Sequence, residues 1–232
     1  MQLTSAAGAY ERVRQAIVAV ELAPGTAISE VQLVDRFGLS RAAVRAALAR
    51  LRTEGLVRAE PRRGHVIAPL TMRDVTEIYD LRLLLEPPAA GAAAGKMSRA
   101  ELSRLRELCE PVPDLDDSAS AQRFLRTNNA IHLSIAAAAG NRRTAAIVAQ
   151  LLDDSERARL IALRAGAADH GVRAHEEHLE LLAALGNGDG ALATRLMSTA
   201  IGAFRDELTD ALHTAALDVA LPVVSTPGQV GR

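Results

Sequence analysis

Two sets of side chains in this sequence have the types and spacing to do chemistry. The first is rich in arginine. Arg41 and Arg45 lie four apart directly after Ser40, and Arg62-Arg63-Gly64 follow about one helix later. A guanidinium can bond guanine O6 and N7 together, or grip a phosphate through two parallel N–H groups. Two of them one helical turn apart would offer a doubly cationic tip to a polyanion. The second set lies in the C-terminal half, with Asn128 and His132 four apart and His175 and His178 three apart. At those spacings each pair projects from one helix face. Imidazoles converging from different helices could hold a divalent metal such as zinc. They could equally line a metal-free pocket as neutral hydrogen-bond groups, or be structural histidines. Arg82, with Glu86 one turn later, is either half of an i,i+4 pair or an inward clamp for a carboxylate. An arginine in a bundle core needs one of those partners, because an unpaired buried charge is costly.

The elements that must position the arginines are legible around them. Ser29 and Gln32 have capping-box spacing and predict a helix from about Ser29 to Phe37. Gly38 can take the left-handed conformation that ends it, and Ser40 can cap a second helix from Arg41 to about Glu54. In that helix Val44, Ala47, Leu48 and Leu51 share one apolar arc, with Arg41 and Arg45 beside it at the N-terminal end. Free N–H groups of the first turn, with the Ser40 hydroxyl, suit a phosphate. Arg50 and Arg52 fall two turns further on, where packing or backbone roles are expected. After Gly55, Leu56-Val57 and Val66-Ile67 read as short strands joined by a turn at Pro61 to Gly64. Helix, turn, helix and basic hairpin together make a winged helix-turn-helix, which places its second helix in a DNA major groove and its wing against the backbone or minor groove.

The rest of the chain is of another kind. Residues 1–70 carry ten basic and six acidic side chains, a balance of +4, and the remainder seventeen and twenty-two, a balance of −5. A positive head on an acidic body suits nucleic acid at one end only. A helix is expected from about Ser5 to Glu21. Beyond residue 70, helical patterns run at about 72–94, 98–109, 118–139, 142–165, 170–187 and 189–214. Pro87-Pro88 should kink or split the first of these. Ser98 with Glu101 has capping-box spacing. His65 and His170 have the look of surface residues, and His175 that of a residue facing solvent or a cavity mouth. The fold expected is mostly α: a winged helix-turn-helix domain at 1–70, an all-helical bundle of six or seven helices at 71–217, and a disordered tail at 218–232. No apolar run reaches the roughly 20 residues of a membrane span. No basic-then-apolar leader opens the chain, and the single cysteine, Cys109, fits a reducing cytoplasm.

The run PGTAISEVQLVDRFGLSRAAVRAALARLRTEGLV, followed by RRG, closely resembles the DNA-binding domain of the GntR family of bacterial transcription regulators. The resemblance implies operator contacts from Ser40, Arg41, Arg45, Arg63 and Gly64, with Arg62 beside them in the wing. Val31 stands where the family often has an arginine, and Ala42-Ala43 where Thr-Pro or Thr-Thr is common. The bundle is similar to the effector-binding (FCD) domain of the family's FadR-type branch, through IYDLRLLLE, NNAIHLSIAAAAGN and EEHLELLAAL. That domain commonly holds a metal with one aspartate and three histidines, and the metal meets a carboxylate effector. Carried over, the aspartate falls on Asn128, two histidines on His132 and His178, and the third on Ala200, which cannot ligate. The implied function is a dimeric regulator, usually a repressor, on a pseudo-palindromic operator. A small organic acid held by Arg82, Asn128, His132 and His178 would retune it. Two rivals stay open. One is a DNA-binding protein whose bundle only dimerises. The other is a metal-dependent hydrolase with Glu176 or Glu177 as base, for which the ligand set is incomplete.

Overall fold

The computed structural model describes residues 5–60, 64–109, 118–164 and 169–218, and these divide into two compact units between Thr71 and Met72. In the first unit, helix α1 (Ala6–Val18) is capped by Ser5, whose side chain accepts the Gly8 N–H. It stops short of the expected Glu21 because Val20 takes a left-handed backbone, φ 57°, and Leu22 N–H turns back to the Ala16 carbonyl. Strand β1 (Ala27–Ile28) leads into α2 (Glu30–Phe37), where Ser29 and Gln32 form both bonds of the capping box. Gly38 ends α2 at φ 64°, and Ser40 caps α3 (Arg41–Thr53) by accepting the Ala43 N–H. The apolar arc of α3 (Val44, Ala47, Leu48, Leu51) is fully buried against Tyr10, Val13 and Ile17 of α1. Each large side chain there contributes about 1.5–3 kcal/mol by leaving water.

Strands β2 (Val57–Glu60) and β3 (Gly64–Ile67) form the wing. β3 lies between β1 and β2 in an antiparallel sheet, with Ala27 opposite Val66 and Ala59 opposite His65. The sequence pattern did not reveal β1. His65 is half-buried in this sheet with its Nδ1 unpartnered, so it is not the surface residue expected.

Six helices, among the described residues, build the second unit: α4 (Met72–Ala93), α5 (Arg99–Leu108), α6 (Ser118–Ala138), α7 (Arg142–Arg164), α8 (Asp169–Gly186) and α9 (Gly190–Asp218). Ser98 caps α5 through the Glu101 N–H, the forward bond of the expected box. Pro87 and Pro88 do not split α4, which runs through both. Burial of Pro87, Ala89, Ala90 and Ala93 holds the helix together where local propensity would break it. Glycine is required where α4 meets α9, since a Cβ on Gly190 would lie 2.8 Å from the Gly91 carbonyl oxygen. The disordered tail was expected over 218–232, but α9 runs through Asp218, and residues 219–232 lie outside the described residues.

Candidate functional sites

The first site is the opening turn of α3. Its buried arc faces α1, so the opposite face is presented to solvent. Arg41 is exposed there and, among the described residues, has no ion-pair or hydrogen-bond partner. Arg45 is 69% exposed, but its Nε donates to Glu30 Oε2 at 2.8 Å. The start of α2 therefore steers the second arginine of the reading turn. Ala42, Ala46 and Ala49 are exposed beside them and leave the backbone approachable. Further along, Arg50 is engaged in packing: its guanidinium lies 3.6 Å from the Tyr10 ring centre and its Nε bonds Glu54 at 3.0 Å. Tyr10 donates its hydroxyl to the same carboxylate at 2.8 Å. Gly64 opens β3 at φ 77°, a conformation that disfavours any residue with a side chain. Arg62 and Arg63 lie outside the described residues. Arg58 on β2 is an exposed cation of the wing that the sequence reading passed over, although a basic residue in a wing strand was a visible signal.

The second site is a cavity inside the bundle. Its wall takes Arg82 from α4, Asn128 and His132 from α6, Arg159 from α7, Glu177 and His178 from α8, and Ala200, Ile201 and Phe204 from α9. The space between them, including the part open to solvent, is about 410 Å³. Arg82, His132 and His178 are buried, and Asn128 is half-buried. The four residues expected to meet an effector thus share one wall. A second depression continues from it past Asn128 and His178 to Cys109 and His175, whose Nδ1 is buried without a partner.

Charge in this cavity is unevenly settled. Of the two roles open to Arg82, the structure forms the pair with Glu86: Nε donates to Oε1 at 2.6 Å, with both side chains buried. The other Glu86 oxygen bonds His132 Nδ1. Burial works to raise the Glu86 carboxyl, but Arg82 and then His132 hold it down at about 2. Burial pushes His132 below the usual imidazole range despite Glu86, and the neutral ring keeps its Nδ1 proton on the carboxylate. Arg159 is the residue that sequence reasoning missed. It is 2% exposed, and its Nη1 donates to the neutral Asn129 Oδ1 at 2.7 Å. Burial lowers it to about 10, so it remains cationic at neutral pH.

The donor set does not fit a metal. His132 keeps its Nε2 free, but Asn128 offers only an amide in place of a carboxylate, and a methyl group stands at Ala200. No group of three His, Cys, Asp or Glu side chains that could hold an ion comes together among the described residues. No helix among them is long and apolar enough to cross a membrane.

A winged helix-turn-helix joined in one chain to a helical bundle with an internal cavity defines a class: transcription regulators with a DNA-binding head. Residues 5–67 match the family of bacterial regulatory proteins called gntR, and residues 77–203 match the FCD domain. The chain belongs to the GntR family of transcriptional regulators and carries its FCD domain, as the resemblance implied. It is 32% identical over 124 residues to the HTH-type transcriptional regulator YdhC of Bacillus subtilis (strain 168), covering 53% of this chain and 55% of that one. To an HTH-type transcriptional regulator in the unstable DNA locus of Streptomyces ambofaciens it is 29% identical over 201 residues, 86% of this chain and 83% of the relative. The chain therefore spans about half the length of the first of these relatives and most of the second. Its fold is similar to that of E. coli McbR/YncC, with a TM-score of 0.73 at 19% identity, covering 88% of this chain and 97% of that chain. The family and the two relatives from Bacillus and Streptomyces are transcription regulators rather than enzymes, which removes the hydrolase alternative.

Proposed function

We propose that the protein is a cytoplasmic, ligand-responsive repressor that binds a pseudo-palindromic operator as a homodimer. The observation that carries this is the exposed pair Arg41 and Arg45 at the N-terminal end of a helix whose other face is buried. Arg41 and Arg45 read base edges in the major groove. Ser40 donates its remaining hydroxyl proton to a phosphate, and Arg62, Arg63 and Gly64 bring the wing against the backbone. Exposed apolar side chains support self-association: Leu81 and Leu84 lie one turn apart on α4, and Ile147 stands on the neighbouring α7. The cavity of Arg82, Asn128, His132 and His178 takes a small carboxylate-type metabolite, and its presence favours a sensing bundle over one that only dimerises. The metabolite retunes DNA binding only by favouring one dimer geometry over another.

Fluorescence anisotropy of the full chain on duplexes from its own promoter region tests this. At physiological salt the expected dissociation constant is on the order of 10⁻⁸ M, at least about a thousandfold tighter than for a scrambled duplex. Equal affinity for both would overturn it.

A further inference from the structure

The bundle cavity contains two buried guanidinium groups in unequal states. Arg82 is neutralised by Glu86 at 2.6 Å, and the second oxygen of Glu86 is taken by His132. Arg159 has only the amide oxygen of Asn129, and among the described residues no carboxylate reaches ion-pair distance of it. A fully buried guanidinium with a neutral partner is held at a cost in the empty protein. An anion entering the cavity would relieve that cost. Glu156 and Glu86 favour the Arg159 cation only through space, and the Glu177 carboxylate faces Arg173 at 3.4 Å, with Arg173 also paired to Glu207.

This asymmetry coincides with the misfit for a metal. Where the related fold's metal set would need a carboxylate and a third imidazole, this chain has the amide of Asn128 and the methyl group of Ala200. Resting on the sensing role proposed above, we infer that the cavity binds a monocarboxylate without any metal, and that the Arg159 guanidinium is the positive charge that receives it. One uncompensated cation matches one carboxylate; a di- or tricarboxylate would bring surplus charge into a buried space. Ile201 and Phe204 line the cavity beside Arg159 and suit an apolar body on the acid, while Asn128 and His178 can bond a hydroxyl or carbonyl group on it.

The experiment is calorimetry on the EDTA-dialysed full chain with benzoate, hexanoate, succinate and citrate, repeated with Zn²⁺ present, and with Zn²⁺ alone. Benzoate or hexanoate binds in preference to succinate and citrate, and Zn²⁺ leaves the affinity unchanged. Arg159→Leu weakens that binding about tenfold to a hundredfold, the loss of a charge-assisted pair, while promoter binding is retained. Arg159→Lys, which keeps the charge, falls between. Asn128→Asp combined with Ala200→His gains Zn²⁺ binding that the natural chain lacks, which tests the metal-free assignment even if Arg159→Leu fails to fold. Carboxylate binding that requires Zn²⁺, or tight Zn²⁺ binding by the natural chain, overturns the inference and leaves the sensing role standing. Unchanged affinity in a folded Arg159→Leu protein also overturns it. No binding of any of the four acids, with or without Zn²⁺, overturns both.

Discussion

Arginine is used in two opposed ways in this molecule. On the head, Arg41 and Arg45 stand in water at the opening of α3. In the bundle, Arg82 and Arg159 are 3% and 2% exposed. An exposed guanidinium loses little on folding and stays open to an arriving anion, in a manner that salt weakens. A buried one has already given up its water and must have a fixed partner or be left wanting one. Arg82 has its partner in Glu86, and Arg159 has only an amide. The same side chain therefore suits a broad polyanion surface at one end and a single enclosed anion at the other.

Removing both exposed arginines should give the largest effect. Arg41→Ala with Arg45→Ala is expected to lower operator affinity by about a hundredfold or more, at about 1–3 kcal/mol per base contact, with stability almost unchanged. Anisotropy and thermal melting measured side by side check this, and unchanged affinity would refute the proposed reading turn. In the bundle the pattern should invert. Glu86→Ala strands Arg82 without its counter-ion and is expected to destabilise the fold by about 3–5 kcal/mol in chemical denaturation, with the head's DNA contacts untouched.

Acid should sharpen the contrast further. Glu86 is depressed to about 2 in the folded chain, so its contribution is full above the ordinary carboxylate value and fades as pH falls toward about 2. That shift corresponds to about 3 kcal/mol, at 1.36 kcal/mol per unit. His132 is also depressed, so protonation of the unfolded chain begins to erode stability once pH drops below about 6.5. Denaturation midpoints recorded from pH 7 to pH 3 should fall throughout, and a Glu86→Gln protein should lose the lower part of that slope. The smallest effect is expected on the head: Glu30→Gln frees Arg45 and removes a negative charge beside the reading turn. Affinity for non-specific DNA should rise only a few-fold, consistent with an exposed pair worth less than about 1 kcal/mol. A large gain would mean that Glu30 holds the head in check.

What was legible in the sequence follows the range of the interactions involved. Ser29 with Gln32, Gly38 and Ser40 act on backbone groups within a few residues, so their spacing announced α2, the turn and α3. Strand β1 was not announced, because Ala27 pairs with Val66, far along the chain, and two residues carry no period. Pro87 and Pro88 did not split α4, because burial along that stretch holds the helix together across them. For the cavity, Asn128, His132 and His178 were visible as types at helical spacing, yet nothing local could say that Arg82 would be taken by Glu86. Arg159 was missed although a signal existed. Val148, Leu152, Ser155, Arg159 and Ala162 recur at steps of four and three, and all are buried, so an arginine occupied the inward stripe of its helix.

The placement of β3 between β1 and β2 has a further consequence. β1 runs directly into Ser29, the cap of α2, and α2 joins α3 through a single tight turn. Hairpin and reading helix are thus laced into one block with no joint between them. A head made this way has no separate fingers to curl, so in the dimer proposed above control would act through how two whole blocks are spaced along the duplex.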